Sequence, residues 1–114
     1  MMRQSPKGEQ AVIKVSVLYP NQDGVTFDHD YYRDKHMALV REKMGNGLKR
    51  IEIDRGMAGG GDAPAPFVAI GHLFFNNMED LQLAMAQAGS APMEDIPNFT
   101  NAQPQILIAE TAEA

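Results

Sequence analysis

Cysteine is absent from these 114 residues. That excludes a disulfide framework, thiolate zinc sites and cysteine nucleophiles. Long apolar runs are also missing. No stretch approaches the roughly 18 residues that a membrane span needs, and the opening MMRQSPKGEQ lacks the apolar centre of a secretion signal. The expectation is a cytoplasmic protein that does not engage a membrane. Positive charge is scarce: ten Lys and Arg stand against fifteen Asp and Glu, for a formal net charge of -5. Apart from Lys49 and Arg50 the basic residues are scattered, so the stripe expected of a nucleic-acid binder is not there. No G-x-G-x-x-G loop occurs. Gly59, Gly60 and Gly61 join two strand-like segments instead of opening a helix, which argues against an NAD-dependent reductase. Three histidines without short ligand spacing make a poor metal site, no Ser-His-Asp arrangement can be read, and no cofactor is expected.

What remains is an ordinary globular composition, 44% hydrophobic and 22% charged. It suits one domain over residues 11–114, preceded by a flexible polar segment over 1–10. Eight methionines serve either as core filler or as an adaptable lining for an apolar ligand.

Along the chain, VIKVSVLY (12–19) alternates, with Ile13, Val15, Val17 and Tyr19 on one face. This is a strand. PNQDG (20–24) is turn chemistry throughout. Asp28 is suited to cap a helix over about 28–44, whose inward side carries Tyr32, His36, Leu39 and Val40; Gly45 or Gly47 can end it. Residues 48–56 alternate as a second strand, 57–66 form a Gly- and Pro-rich hairpin loop, and FVAIGHLFF (67–75) is a strand apolar on both faces. Asn77 is placed to cap a second helix with Met78, Leu81, Ala84 or Met85, and Ala88 inward. An ordered connection (90–104) leads to a last strand, QILIAE (105–110).

The order β-α-β-β-α-β predicts an α+β, ferredoxin-like unit: an antiparallel sheet with two helices on one face. Two helices cover only one side of the sheet, yet strand 67–75 is apolar on both. A bare apolar face of several hundred Å² is unusual on a monomer, so a C2 homodimer with sheets packed face to face is expected.

Two stretches carry a resemblance. VLYPNQDGVTFDHDYYRDKHMALV and EDIPNFTNAQPQILIAE are similar, in order and spacing, to segments of the EthD-like family within the dimeric α+β barrel superfamily. The resemblance covers roughly residues 12–110. It implies a ferredoxin-like fold forming a dimeric barrel, and a pocket between sheet and helices of the kind superfamily isomerases, cyclases and monooxygenases use without a cofactor. Ala38 stands where the family carries proline, which restores an N–H inside the helix and predicts a straighter helix around the histidine.

His36 matches the family histidine. An imidazole on a buried helix face is either a proton-transfer group or a core histidine satisfied by a carbonyl or a tyrosine. Tyr32, one turn earlier, and Tyr19, at the end of the first strand, either hold a developing oxyanion or are core aromatics with their hydroxyls at the rim. These three are the catalytic candidates. His72 lies either beneath the helices or in the dimer interior. It is grouped with Phe74 and Phe99 as a ligand contact, Phe99 closing the pocket or plugging the helix layer. Tyr31 reads as surface, His29 as solvated, and Asp95 and Asn98 as a self-capped loop.

Two functions follow. One is a cofactor-independent enzyme of isomerase, cyclase or oxidoreductase type, moving a proton on a small apolar or aromatic-derived oxygenated compound. The other is a non-catalytic binding protein with the same small hydrophobic ligand. A pocket filled by side chains would instead leave an interaction module.

Overall fold

Alternation in the first strand separates a buried row from an open one, and that division organises the molecule. The computed structural model describes residues 12–113; the polar segment 1–10 lies outside the described residues. β1 (Val12–Pro20) is followed by a long helix in three pieces, α1 (His29–Tyr31), a π-helical turn (Tyr32–His36) and α2 (Met37–Met44). A 3-10 turn (Gly45–Gly47), β2 (Arg50–Arg55), β3 (Phe67–Phe75) and α3 (Met78–Ala88) come next. α4 (Ala91–Asp95), a second 3-10 turn (Ile96–Asn98) and β4 (Gln105–Thr111) complete the chain.

The four strands form one antiparallel sheet in the order β2-β3-β1-β4, the ferredoxin-like arrangement that the element order predicts. Register fixes the faces, because residues opposite one another point the same way. Val15 faces Leu73 and Ile108, and Val17 faces Gly71 and Ile106; this row lies under the helices. Ser16 faces His72 and Leu107, and His72 faces Glu52; this row lies on the face without helices. The core sits between sheet and helices, from Ile13, Val15, Leu73 and Phe75 to Val40, Met44, Leu81 and Ala84.

Local chemistry sets the helix ends. Asp28 accepts from the Tyr31 amide at 3.0 Å and Asn77 from the Asp80 amide at 2.8 Å, the N-cap role of short polar side chains. Gly45 ends α2 at φ +74°, a conformation that side chains with a Cβ resist. α3 buries Leu81, Ala84 and Ala88, while Met78 and Met85 remain exposed. The connection 90–104 is ordered by its two short helical pieces.

Candidate functional site

The long helix is interrupted by a π-helical turn. The Met37 amide reaches back to the Tyr32 carbonyl, five residues earlier, which widens one turn at the position of the histidine. Such π-turns are rare and recur at functional sites. The turn is wide with Ala38, and not proline, following it. Within it Tyr32 and His36 both face inward, their rings stacked at 5.5 Å and 15°. Their surroundings are aromatic: Tyr19 meets Tyr32 edge-on at 5.5 Å, and Phe99 packs 4.7 Å from the His36 ring.

His36 is 5% exposed. Its Nδ1 lies 2.9 Å from Oδ2 of Asp95. A carboxylate accepts, so Nδ1 carries the proton and Nε2 is left with its lone pair. No described residue bonds Nε2, and among the described residues no sealed-off side-chain nitrogen or oxygen lacks a partner. Nε2 therefore keeps accessible surface, and His36 lines a cavity. Burial lowers the imidazole pKa from its ordinary value, and the hydrogen bond and charge of Asp95 oppose that shift without cancelling it.

Asp95 is held from three sides. Besides His36, its Oδ1 accepts from the Tyr31 hydroxyl at 2.8 Å and from Asn98 Nδ2 at 2.9 Å. Burial pushes the carboxyl up, but the bonds from Asn98, His36 and Tyr31 together outweigh it and hold Asp95 below its ordinary pKa. Tyr31 is half-buried and stacks on Phe99, so the surface assignment is corrected. Asp95 is joined to Asn98 as a capped loop requires, but it also carries the imidazole. Sequence reasoning missed that partnership because 59 residues separate the two. The segment is anchored to the loop after β1 by the Asp28 amide on the Phe99 carbonyl at 2.8 Å and by Thr100 Oγ1 on the Thr26 carbonyl at 2.6 Å.

The cavity lies between sheet and helices and measures about 340 Å³. Val15, Val17, Gly71 and Leu73 form its floor, Met37, Val40 and Met44 of α2 one wall, and Met85, Ala88, Met93 and Ile96 the other. Tyr19, Tyr32 and His36 supply its polar side chains. Both tyrosines are 1% exposed, their hydroxyls are bonded to each other, and burial raises both pKa values, so each stays neutral. Tyr32 rests over Gly71: a Cβ there would collide with its hydroxyl oxygen. The glycine in mid-strand is thus the space that the tyrosine occupies.

The predicted residues fall into two groups. His36, Tyr19 and Tyr32 share the cavity, and Phe99 backs them without lining it. His72 and Phe74 lie on the other face of the sheet. Arg50 covers the Phe74 ring at 3.9 Å. His72 Nδ1 lies 2.7 Å from Ser16 Oγ and its Nε2 2.8 Å from Asp54 Oδ2. A Ser-His-Asp line that the sequence did not disclose therefore exists. β1 and β3 are the inner strands, however, so their amides are committed to ladder bonds and cannot form an oxyanion hole. Among the described residues no group of three His, Cys, Asp or Glu could hold a metal ion, and no helix is long and apolar enough to cross a membrane.

Comparison with known proteins agrees with this architecture. An EthD-like protein from Ralstonia eutropha JMP134 superposes with a TM-score of 0.82 at 36% identity, over 89% of this chain and 92% of that one. An ethyl tert-butyl ether D (EthD) family protein from Bacillus halodurans C-125 gives 0.69 at 23% identity, over 89% and 99%. A dimeric ferredoxin-like protein of unknown function from Thermobifida fusca YX gives 0.58 at 10% identity, over 96% and 100%, a likeness of fold alone. No curated protein matches. Residues 24–103 match the EthD domain, and with this extent of similarity the chain belongs to the EthD family.

Proposed function

We propose that the cavity takes a small, apolar, oxygen-bearing compound and that His36 moves a proton on it without a cofactor. The observation that carries this reading is the imidazole itself: Nδ1–H is fixed by Asp95, while Nε2 stays unclaimed at the polar end of an apolar cavity. His36 Nε2 takes a proton from a carbon beside a carbonyl, as a base whose ordinary pKa lies near neutrality does well. Negative charge then grows on the carbonyl oxygen, and the Tyr19–Tyr32 hydroxyl pair, one bonded to the other, has one proton left to meet it. Return of the proton to another atom completes an isomerisation or sets up a ring closure or elimination. Asp95 stabilises the imidazolium and keeps the ring in the correct tautomer; it is a positioning residue.

The test is turnover of a panel of lactones, phenols and enones by wild-type protein and by His36→Ala. Loss of turnover with the fold and assembly intact supports the role. Unchanged turnover rejects it, and a ligand recovered unaltered at one per subunit places the protein as a binder.

We infer also that two copies pair through the faces without helices. Leu107 is 53% exposed there, beside half-buried Leu18, Val68 and Ile70, an apolar surface of the kind that a second sheet covers. Light scattering that finds only monomer at micromolar concentration rejects this pairing.

A further inference from the structure

We propose that the ligand is uncharged, bears its oxygen at one end, and has an apolar tail that leaves the cavity between Met85, Met93 and Ile106. This deepens the reading above and rests on it.

The charge follows from the lining. Among the described residues no lysine or arginine borders the cavity, and Asp95, the carboxylate bonded to His36, stands behind the imidazole. With burial lowering the His36 pKa, an anionic ligand would meet a neutral imidazole backed by a carboxylate and no described lysine or arginine, an arrangement that ordinarily costs several kcal/mol. A neutral carbonyl or phenol meets only donors and the imidazole.

The orientation follows from where the polar atoms lie. Tyr19, Tyr32 and His36 form one continuous group of rings, at successive centroid separations of 5.5 and 5.5 Å. Every other lining side chain is apolar or glycine. Only one end of a ligand can be satisfied by hydrogen bonds.

The tail follows from size and from the mouth. About 340 Å³ is at the small end of ligand pockets, so a longer molecule must emerge. Apart from Gly89, the exposed lining residues are Met85 at 48%, Met93 at 55% and Ile106 at 51%, one each from α3, α4 and β4. Ile108, on the same face of β4 and 50% exposed, continues the apolar path. Methionine is unbranched and adaptable, suited to a flexible chain lying across it.

The experiment is a binding series of para-alkylphenols from methyl to octyl, with para-alkylbenzoates as charged counterparts. It is read by calorimetry and by the NMR signals of the His36 imidazole. We expect the dissociation constant to fall about fourfold per added methylene, with a smaller gain once the chain passes the mouth. The benzoates should bind at least tenfold more weakly than the matching phenols. Met93→Gln, at the exposed mouth, should weaken octylphenol more than methylphenol. If phenols perturb His36 but affinity does not depend on chain length, the tail path is wrong and the proton-transfer reading stands. Benzoates binding as tightly as phenols would overturn the neutral-ligand assignment alone. If no member of either series perturbs His36, both readings fall.

Discussion

Replacing Gly71 with alanine tests the floor of the cavity directly. In an open extended strand this change is neutral or favourable, because alanine loses less backbone freedom on folding than glycine. Gly71 has no positive φ that would demand glycine. Here, however, the new methyl would occupy the place of the Tyr32 hydroxyl oxygen, with Met37 Cε at 3.1 Å and Tyr32 Cζ at 3.3 Å. Tyr32 is 1% exposed and packed between Tyr19, Phe27, His36 and Phe99, so it has little room to retreat. Overpacking of this kind costs about 1–3 kcal/mol, a fall in Tm of roughly 10 °C for a domain near this size. Tyr32→Phe removes the obstructing oxygen. On its own it loses the interaction with the Tyr19 hydroxyl, worth about 1 kcal/mol. Combined, the two changes should be less harmful than their sum by at least about 1 kcal/mol, since they act on one contact. Urea unfolding of the four proteins measures this from the midpoints, provided the slopes agree. Strict additivity would mean that the Tyr32 hydroxyl does not sit over Gly71, and the polar end of the cavity would be wrongly built.

Three further outcomes can be checked. His36 has a folded-state pKa below its unfolded value, so between the two the unfolded chain binds more protons. Stability should then decline as pH falls below about 6.5 and go on declining to the folded value. His36→Gln should flatten that part of the wild-type pH profile, and an unaltered slope would contradict the assignment. Asp95→Asn removes the charge that opposes desolvation, so an NMR titration should place the His36 pKa lower than in wild type; a rise would show that Asp95 does not act on the ring. Leu107→Arg, on the sheet face without helices, should convert a dimer to monomer in light scattering while leaving the far-ultraviolet circular dichroism unchanged. A dimer that survives the arginine would place the interface elsewhere.

The fold was legible because it is written in short-range periodicity. Alternation in 12–19 and 67–75 separated Val15 and Leu73 from Ser16 and His72, and the sheet keeps that division. Polar caps at Asp28 and Asn77 announced both helices. Two features were not legible, for different reasons. The widened turn at Tyr32–His36 has no local sequence signal that demands it. The His36–Asp95 pair joins residues far apart in the chain, and each residue alone had a satisfactory local explanation, the histidine as a core group and the aspartate as a loop cap. The same holds for Ser16, His72 and Asp54, which meet only when three strands come into register.

These two polar assemblies differ in what they leave open. His72 is bonded at both ring nitrogens, so it has no atom to offer a ligand while those bonds last. His36 is bonded at one and opens on the cavity at the other. Because Nε2 keeps accessible surface, it can bond to water or to a ligand that enters the cavity. An imidazole held at Nδ1 and open at Nε2 is therefore, of these two, the histidine whose ring can respond to a ligand, and the proposed proton transfer stands or falls on it.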